Sequence, residues 1–384
     1  MHFTLSEEHQ MIEKAAKDFA VNECLPGVID RDEHQRFPKE QIMQLADLGF
    51  MGMMVSPDYG GSGMDTVSYV LAMDQISRVD ASVSVCMSVN NSLVCYGLES
   101  YGSEAQKQQY LTPLAQGKKD GELYIGAFLL SEPEAGSDAT SQRTTAEDMG
   151  DYYLLNGTKN WITNGSSASV YLVIAQTDVS KGSKGINCLI VEKNWPGVTV
   201  AAKENKLGIR GSDTHTIMFT DVKVPKENRI GENGFGFKFA MKTLAGGRIG
   251  IASQALGIAT GAYELALKYA KTRKAFGKEI AQHQAIQFKL ADMATKIEAA
   301  RLLCLKAAWE KDNGLDYTLS SSMAKVFASE TAMWVTTEAV QIHGGYGFVK
   351  EYHVERMMRD AKITQIYEGT SEVQRIVISR SVLS

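Results

Sequence analysis

One carboxylate near the tail of the chain is placed to take a proton. Glu368 lies in the stretch Ile366-Tyr367-Glu368-Gly369-Thr370-Ser371-Glu372, where Gly369 lets the backbone turn sharply and lets a ligand approach closely. Thr370 or Ser371 can cap the helix that follows, and Ser371 stands three residues before Gln374, the spacing of a capping box. A base held just before a helix start is free of its own helix, and the helix N-terminus beside it attracts an anion such as a phosphate. The chemistry to expect is proton abstraction. A solvated Glu in a surface turn would carry the same local pattern, so the rest of the chain has to decide between the two.

The 384 residues suffice for about two or three domain-sized units with a well-buried core. With 44% hydrophobic and 22% charged residues the composition is that of an ordinary globular protein. A net charge of -5, with Lys and Arg scattered along the chain, gives no footprint for nucleic acid or an anionic membrane. Cys24, Cys86, Cys95, Cys188 and Cys304 are odd in number and form no CxxC pair, so they are expected as reduced core residues in a reducing compartment, with no metal site. No apolar run approaches the roughly 18 residues of a membrane span, and no signal peptide opens the chain. The expected location is the cytoplasm; a processed mitochondrial matrix protein would look the same.

The elements that must position Glu368 change character twice. From 4 to about 121 the pattern is helical: Thr4 or Ser6 can cap a first helix with Met11, Ala15 and Phe19 on one face, ended by Pro26. The Gly-rich stretch 56–64 lacks the Lys and flanking strand of a phosphate loop and is read as a connector. Between about 124 and 224 short runs alternate with period two, and His215, Ile217 and Phe219 would share a face. Asn156-Gly157, between 152–155 and 158–163, predicts a two-residue hairpin. From about 236 helical periodicity returns, with Ile286, Leu290, Met293, Ile297 and Cys304 as one stripe. The expected fold is α+β, mostly α: an N-terminal helical domain (1–120), a central β domain (121–230) and a C-terminal helical bundle of four-helix type (231–384). Gly234 with Gly236, and Gly345 with Gly347, lack the third glycine of a Rossmann fingerprint, so any dinucleotide must be held by other means.

Four further segments accompany the Glu368 stretch: 129–138, carrying Leu130, Ser131 and Ser137; 160–165, carrying Trp161, Ile162 and Thr163; 273–277, placed on a C-terminal helix and carrying Arg273 and Phe276; and 341–347, carrying Gln341, Gly344 and Gly345. With these motifs in this order, from first helix to last, the chain resembles the acyl-CoA dehydrogenase family, flavoproteins that convert acyl-CoA thioesters to trans-2-enoyl-CoA. The chemistry fits the residues: removing hydrogens from two adjacent saturated carbons takes a base at one and a hydride acceptor at the other, on opposite sides of the acyl chain.

The resemblance implies FAD as cofactor and Glu368 as the base for the α proton, with burial raising its pKa. The developing enolate oxygen would be met by the Glu368 N–H and a flavin ribityl hydroxyl. It further implies that Trp161, Ile162 and Thr163 flank the flavin ring, that Phe128, Leu130 and Ser131 contact it from a strand end, and that Ser137 contacts the cofactor and the CoA portion. Arg273, Phe276, Gln284, Gln341, Gly344 and Gly345 would reach the FAD of a neighbouring subunit, and Thr370 and Glu372 would complete its binding. Arg248 and Gly369 would contact substrate. Some relatives carry the base on a helix, immediately before an Arg; here that position is Gly247, which leaves Glu368, and Ala245 stands where an Asp is common. The wording around 248–257 and 363–370 is most similar to short-chain, butyryl-type members, with Gln254 and Thr364 as the pocket floor. His343 is read as structural. A homotetramer and electron transfer to an electron-transfer flavoprotein are the implied partners. Medium- or branched-chain specificity, an acyl-CoA oxidase, and an inactive acyl-CoA or flavin binder are the alternatives; a nitroalkane oxidase would expect Asp at 368.

Overall fold

The computed structural model describes residues 4–383. Eight α-helices precede the sheet: α1 (Glu7–Phe19), α2 (Val28–Glu33), α3 (Lys39–Asp47), α4 (Thr66–Ser77), α5 (Ala81–Ser88), α6 (Tyr96–Tyr101), α7 (Glu104–Gln106) and α8 (Thr112–Gln116). Ser6 caps α1 by accepting from the His9 N–H at 3.2 Å. The buried face of α1 is Ile12, Ala16 and Phe19, whereas Met11 is 71% exposed. The expected Met11–Ala15 stripe is therefore off by one residue: both triplets share Phe19 and satisfy helical spacing, and packing against α4 selects the β-branched Ile over the flexible Met. Helices α5 and α6 form one helical run broken by a π-turn at Val89–Cys95, a device that redirects a helix at sites of close approach.

The sheet comprises β1 (Gly126–Leu129), β2 (Thr145–Asp148), β3 (Tyr152–Thr163), β4 (Val170–Gln176), β5 (Ile186–Glu192), β6 (Val198–Lys203), β7 (Thr214–Pro225) and β8 (Arg229–Ile230). Its order is β8-β5-β4-β2-β3-β7-β6, with β1 parallel to β4 and most other pairs antiparallel. Along β7, His215, Ile217 and Phe219 are buried together as the alternation predicted.

Asn156-Gly157 is not a hairpin. It lies inside β3, where the register to β7 shifts between Leu155 and Gly157. The extra residue lies on β7, where Thr220 and Asp221 oppose Asn156, and the bulge is held by Asn156 Oδ1 accepting from the Asp221 N–H at 2.8 Å. A side chain at 157 would overlap Thr144, just before β2, so Gly serves close packing here.

Five helices follow: α9 (Gly236–Thr272), α10 (Gln284–Asp312), α11 (Thr318–His343), α12 (His353–Thr364) and α13 (Ser371–Leu383). Leu290, Met293, Ile297 and Cys304 of α10 are buried as predicted, in a core shared with α9, α11 and α12. The segment Arg273–Gly277 is not helical. Arg273 ends α9, and a small hairpin pairs Lys274–Ala275 with Lys278–Glu279. Phe276 and Gly277 form its tip at φ of +53° and +79°, which is how a two-residue turn matches strand twist. Helical and β elements are thus segregated, and a third core joins them: Leu93, Val94, Leu172, Cys188 and Phe239 pack together, with Phe128, Leu130 and Leu244 against them.

Candidate active site

Helix α12 delivers the chain into a reversal at Glu368 (φ +53°) and Gly369 (φ +92°). The first value is uncommon for a residue with a Cβ, and side chains from two helices fasten the turn. The Gly369 carbonyl accepts from Lys325 Nζ of α11 at 2.7 Å and from Gln374 Nε2 at 2.9 Å. Gln374 Nε2 also reaches the Glu368 carbonyl at 3.2 Å. Thr370 caps α13, its Oγ1 accepting from the Val373 N–H at 3.3 Å. Ser371 lies inside the helix with its hydroxyl buried and unpartnered. The Ser371–Gln374 capping box is therefore absent: Gln374 instead holds the two carbonyls of the reversal, an arrangement set by tertiary packing of α13 on α11.

The side chain of Glu368 points into the protein. Its Oε2 is shut away from water and has no hydrogen-bond partner, and its backbone N–H donates to no group among the described residues. A methyl built on Gly247 of α9 would overlap Glu368 Oε2 and come within 2.8 Å of Leu93 Cδ2 in the π-turn. Burial pushes the carboxyl up to about 7, against the opposing pull of the Lys325 and Arg248 cations. Neither cation forms an ion pair with it. Arg248, buried on α9, donates to Ser322 Oγ at 3.1 Å and leaves Nε unpartnered; burial holds its guanidinium below the ordinary value, with Glu368 opposing.

A chain of polar contacts starts from the neighbouring Tyr367. Tyr367 Oη donates to Gln254 Oε1, and Gln254 Nε2 donates to the Ala81 carbonyl at 2.9 Å and to Ser84 Oγ at 3.2 Å. Gln254 and Thr364 are both inaccessible to solvent. Tyr69 Oη donates to Ser88 Oγ at 2.9 Å, and a side chain at Gly250 would collide with both groups.

A second cluster surrounds the end of β3. A register shift between Lys159 and Ile162 makes a bulge that puts Trp161 at φ +58° and leaves it 55% exposed. Ile162 is buried, so only its backbone can meet a ligand, while Thr163 is half-buried. The Asn160 N–H donates to the Ser131 carbonyl at 2.9 Å, joining the 129–138 segment to the bulge. Beneath this junction lies a pair that sequence reasoning missed: the buried Lys159 ammonium donates to Glu132 Oε1 at 2.7 Å, to the Leu130 carbonyl at 3.0 Å and to Gln142 Oε1 at 3.1 Å. Burial pulls Lys159 down to about 8. Burial also pushes Glu132 upward, but Lys159 together with the Arg143 and Thr144 hydrogen bonds offsets it and leaves the carboxyl below its ordinary value. The only sequence signal was a Lys at two-residue periods along from the buried Tyr153 and Leu155, on the same strand face. Phe128 stacks on Phe239 of α9 with centroids 6.3 Å apart; with Leu130 it packs on the core that contains Leu93, so the strand end and the Glu368 pocket share one apolar junction. Ser137 is exposed on the loop.

Arg273, Gly344 and Gly345 line a separate cleft of about 550 Å³ with Tyr269, His343 and Tyr346. His343 stacks on Tyr269 at 4.3 Å, and the Arg273 guanidinium lies 5.6 Å from the Tyr346 ring. Phe276 is 96% exposed, and Gln284 and Gln341 are also exposed. None of the residues around Glu368 lines this cleft.

The N-terminal, middle and C-terminal domain families of acyl-CoA dehydrogenase match residues 6–118, 127–222 and 234–383. The chain belongs to the acyl-CoA dehydrogenase family. It is 48% identical to the short-chain specific acyl-CoA dehydrogenase of Clostridium acetobutylicum, covering 100% of both chains. It is 49% identical to a caffeyl-CoA reductase-Etf complex subunit of Acetobacterium woodii, covering 98% of this chain and 99% of the other. The butyryl-CoA dehydrogenase structure from Megasphaera elsdenii superposes with a TM-score of 0.97 at 49% identity, covering 100% of both chains.

Proposed function

We propose that this protein oxidises short-chain acyl-CoA thioesters to trans-2-enoyl-CoA with FAD as cofactor. The observation that carries the reading is the Glu368 carboxyl: its Oε2 is shut away from water without a partner, and burial raises the group to about 7. A base of that kind is neutralised and regenerated within the working pH range.

The residues present suit FAD. An exposed Trp161 on a bulge and a glycine-lined cleft where side chains at Gly344 or Gly345 would meet nothing are open to a large ligand, and the nearby Asn164 Oδ1 and Gln142 Nε2 are polar atoms left without partners. Phe128, Leu130, Ser131, Ser137, Trp161, the Ile162 backbone and Thr163 would hold it from one subunit. Arg273, Phe276, Gln284, Gln341, Gly344 and Gly345 would hold it from a neighbour, with Thr370 and Glu372 at the α13 start. When bound, FAD accepts the hydride leaving the β carbon.

Glu368 takes the α proton at Oε2, the oxygen left free of partners. The Glu368 N–H, also free, is available to the thioester oxygen as negative charge develops there. Ser137, Arg248 and Gly369 would contact the CoA-bearing end of the substrate. Gln254, locked to Tyr367, and Thr364 end the pocket and favour short chains, because Ala81 and Ser84 behind Gln254 are themselves buried and leave it no room to withdraw.

In this reading the chain comprises three units, 1–120, 121–230 and 231–384, assembled as a homotetramer in the cytoplasm; no helix among the described residues is long and apolar enough to cross a membrane. The 96% exposed Phe276 and 86% exposed Phe348 are apolar groups that a neighbouring subunit would cover. An electron-transfer flavoprotein as electron acceptor is supported by the relative named as an Etf-complex subunit. That relative's name also supports a second reading, reduction of a larger enoyl-CoA by the same groups. Anaerobic addition of C4 to C16 acyl-CoAs to the holoprotein tests both: C4 should bleach the flavin fastest, and failure of every saturated acyl-CoA to bleach it would overturn the proposal.

A further inference from the structure

Among the described residues Lys325 has no carboxylate within ion-pair distance, although it is fully buried on α11. A buried ammonium with no counter-ion is costly, so its surroundings should show what it does. It donates, at 2.7 Å, to the carbonyl of Gly369, the residue next to the base. Nothing in the assigned chemistry uses it. We propose that Lys325 is a positioning residue for the reaction: its ammonium holds the Glu368–Gly369 reversal in place from behind and supplies the cationic field that keeps Glu368 available as a base. This rests on Glu368 being the base.

The groups facing Glu368 can be named by element. Lys325 comes from α11, Arg248 from α9 and Tyr69 from α4, with Tyr367 adjacent in the chain. Glu372 of α13 acts on Lys325 rather than on Glu368. Lys325 and Arg248 are thus the two cations that oppose burial of the carboxylate. Arg248 is the cation assigned to substrate contact, its Nε left unpartnered. Lys325 is tied to the backbone of the turn through the Gly369 carbonyl. Because it bonds to the Gly369 carbonyl and not to the carboxylate, it supplies field without occupying the oxygen that must take the proton. Burial pulls Lys325 itself down to about 8, with Glu368 opposing, so the two groups stabilise each other's charged forms.

The test compares wild type, Lys325→Met and Lys325→Gln as FAD-loaded proteins. Met removes both the charge and the tether. Gln, one atom shorter, can still donate to a carbonyl and reads the same quantity if the Met variant does not fold. Flavin reduction by butyryl-CoA is followed by stopped flow from pH 6 to 9, and the Glu368 carboxyl band is titrated by difference infrared, assigned by its loss in Glu368→Gln. Both variants should move the acid limb and the infrared midpoint to higher pH, with about a tenfold loss of rate at pH 6 and a much smaller loss at pH 9. A merely structural Lys325 would lower the rate by one factor at every pH and leave the midpoint unmoved, and that result overturns the inference. If wild type itself fails to reduce its flavin with any acyl-CoA, the functional reading fails instead, and the two failures are distinguishable.

Discussion

The backbone of Gly247 and the carboxyl of Glu368 approach so closely that a methyl group on Gly247 would overlap Glu368 Oε2. The base reaches its pocket through the space of a missing side chain on the helix opposite. The two residues stand far apart in the sequence, and their approach connects α9 directly to the reaction.

Gly247→Ala should therefore damage catalysis without damaging the fold. Ala is favoured over Gly inside a helix by about 1 kcal/mol, but the new methyl would overlap the Glu368 carboxyl and also crowd Leu93 Cδ2 at 2.8 Å, so the carboxyl must move aside. A displacement of about 1 Å costs on the order of 100-fold in rate. Steady-state kinetics beside a thermal melt checks this; wild-type turnover in a folded variant would contradict it.

The raised pKa of Glu368 predicts a stability change of definite sign. Below the ordinary carboxyl value of 4.5 the group is protonated in both folded and unfolded chains and contributes nothing; above about 7 the folded state carries a buried charge that the unfolded state solvates freely. The penalty is thus complete above about pH 7 and absent below about pH 4.5. Glu368→Gln should be more stable than wild type at pH 8 by about 1–3 kcal/mol and indistinguishable from it at about pH 4.5. Denaturant melts at the two pH values measure the difference.

Lys159→Met should destabilise the protein and release its flavin. The substitution strands the Glu132 carboxylate, which would keep only the Arg143 and Thr144 N–H donors at 2.5 and 3.1 Å. Removing one partner of a buried pair costs about 3–5 kcal/mol. The loss should shrink in acid, where Glu132 takes up a proton. Urea melts and FAD fluorescence at pH 5 and pH 8 check both parts; an unchanged melting midpoint would show that the pair carries no such weight.

Much of the architecture was legible in the sequence because it rests on period and punctuation: helical spacing before 121 and after 236, alternation between them, and a carboxylate followed by Gly before a helix start. Three features were hidden for physical reasons. Asn156-Gly157 carries hairpin chemistry, but the same residues run on as strand opposite a bulge at Thr220-Asp221 when Asp221 on the neighbouring strand pairs with Asn156. Phe276-Gly277 forms a turn because two successive residues adopt positive φ, which the helical texture on either side masked. No local motif singles out Lys159 or Lys325, and only long-range packing, which brings Glu132 and Gly369 to their ammonium groups, makes them part of the site.

The most direct test is anaerobic stopped flow of the FAD-loaded protein with butyryl-CoA, comparing wild type with Glu368→Gln. Both should bind FAD and acyl-CoA, wild type should bleach its flavin, and the variant should do so about 10²–10⁴-fold more slowly. Bleaching at the wild-type rate in Glu368→Gln would remove Glu368 from the chemistry.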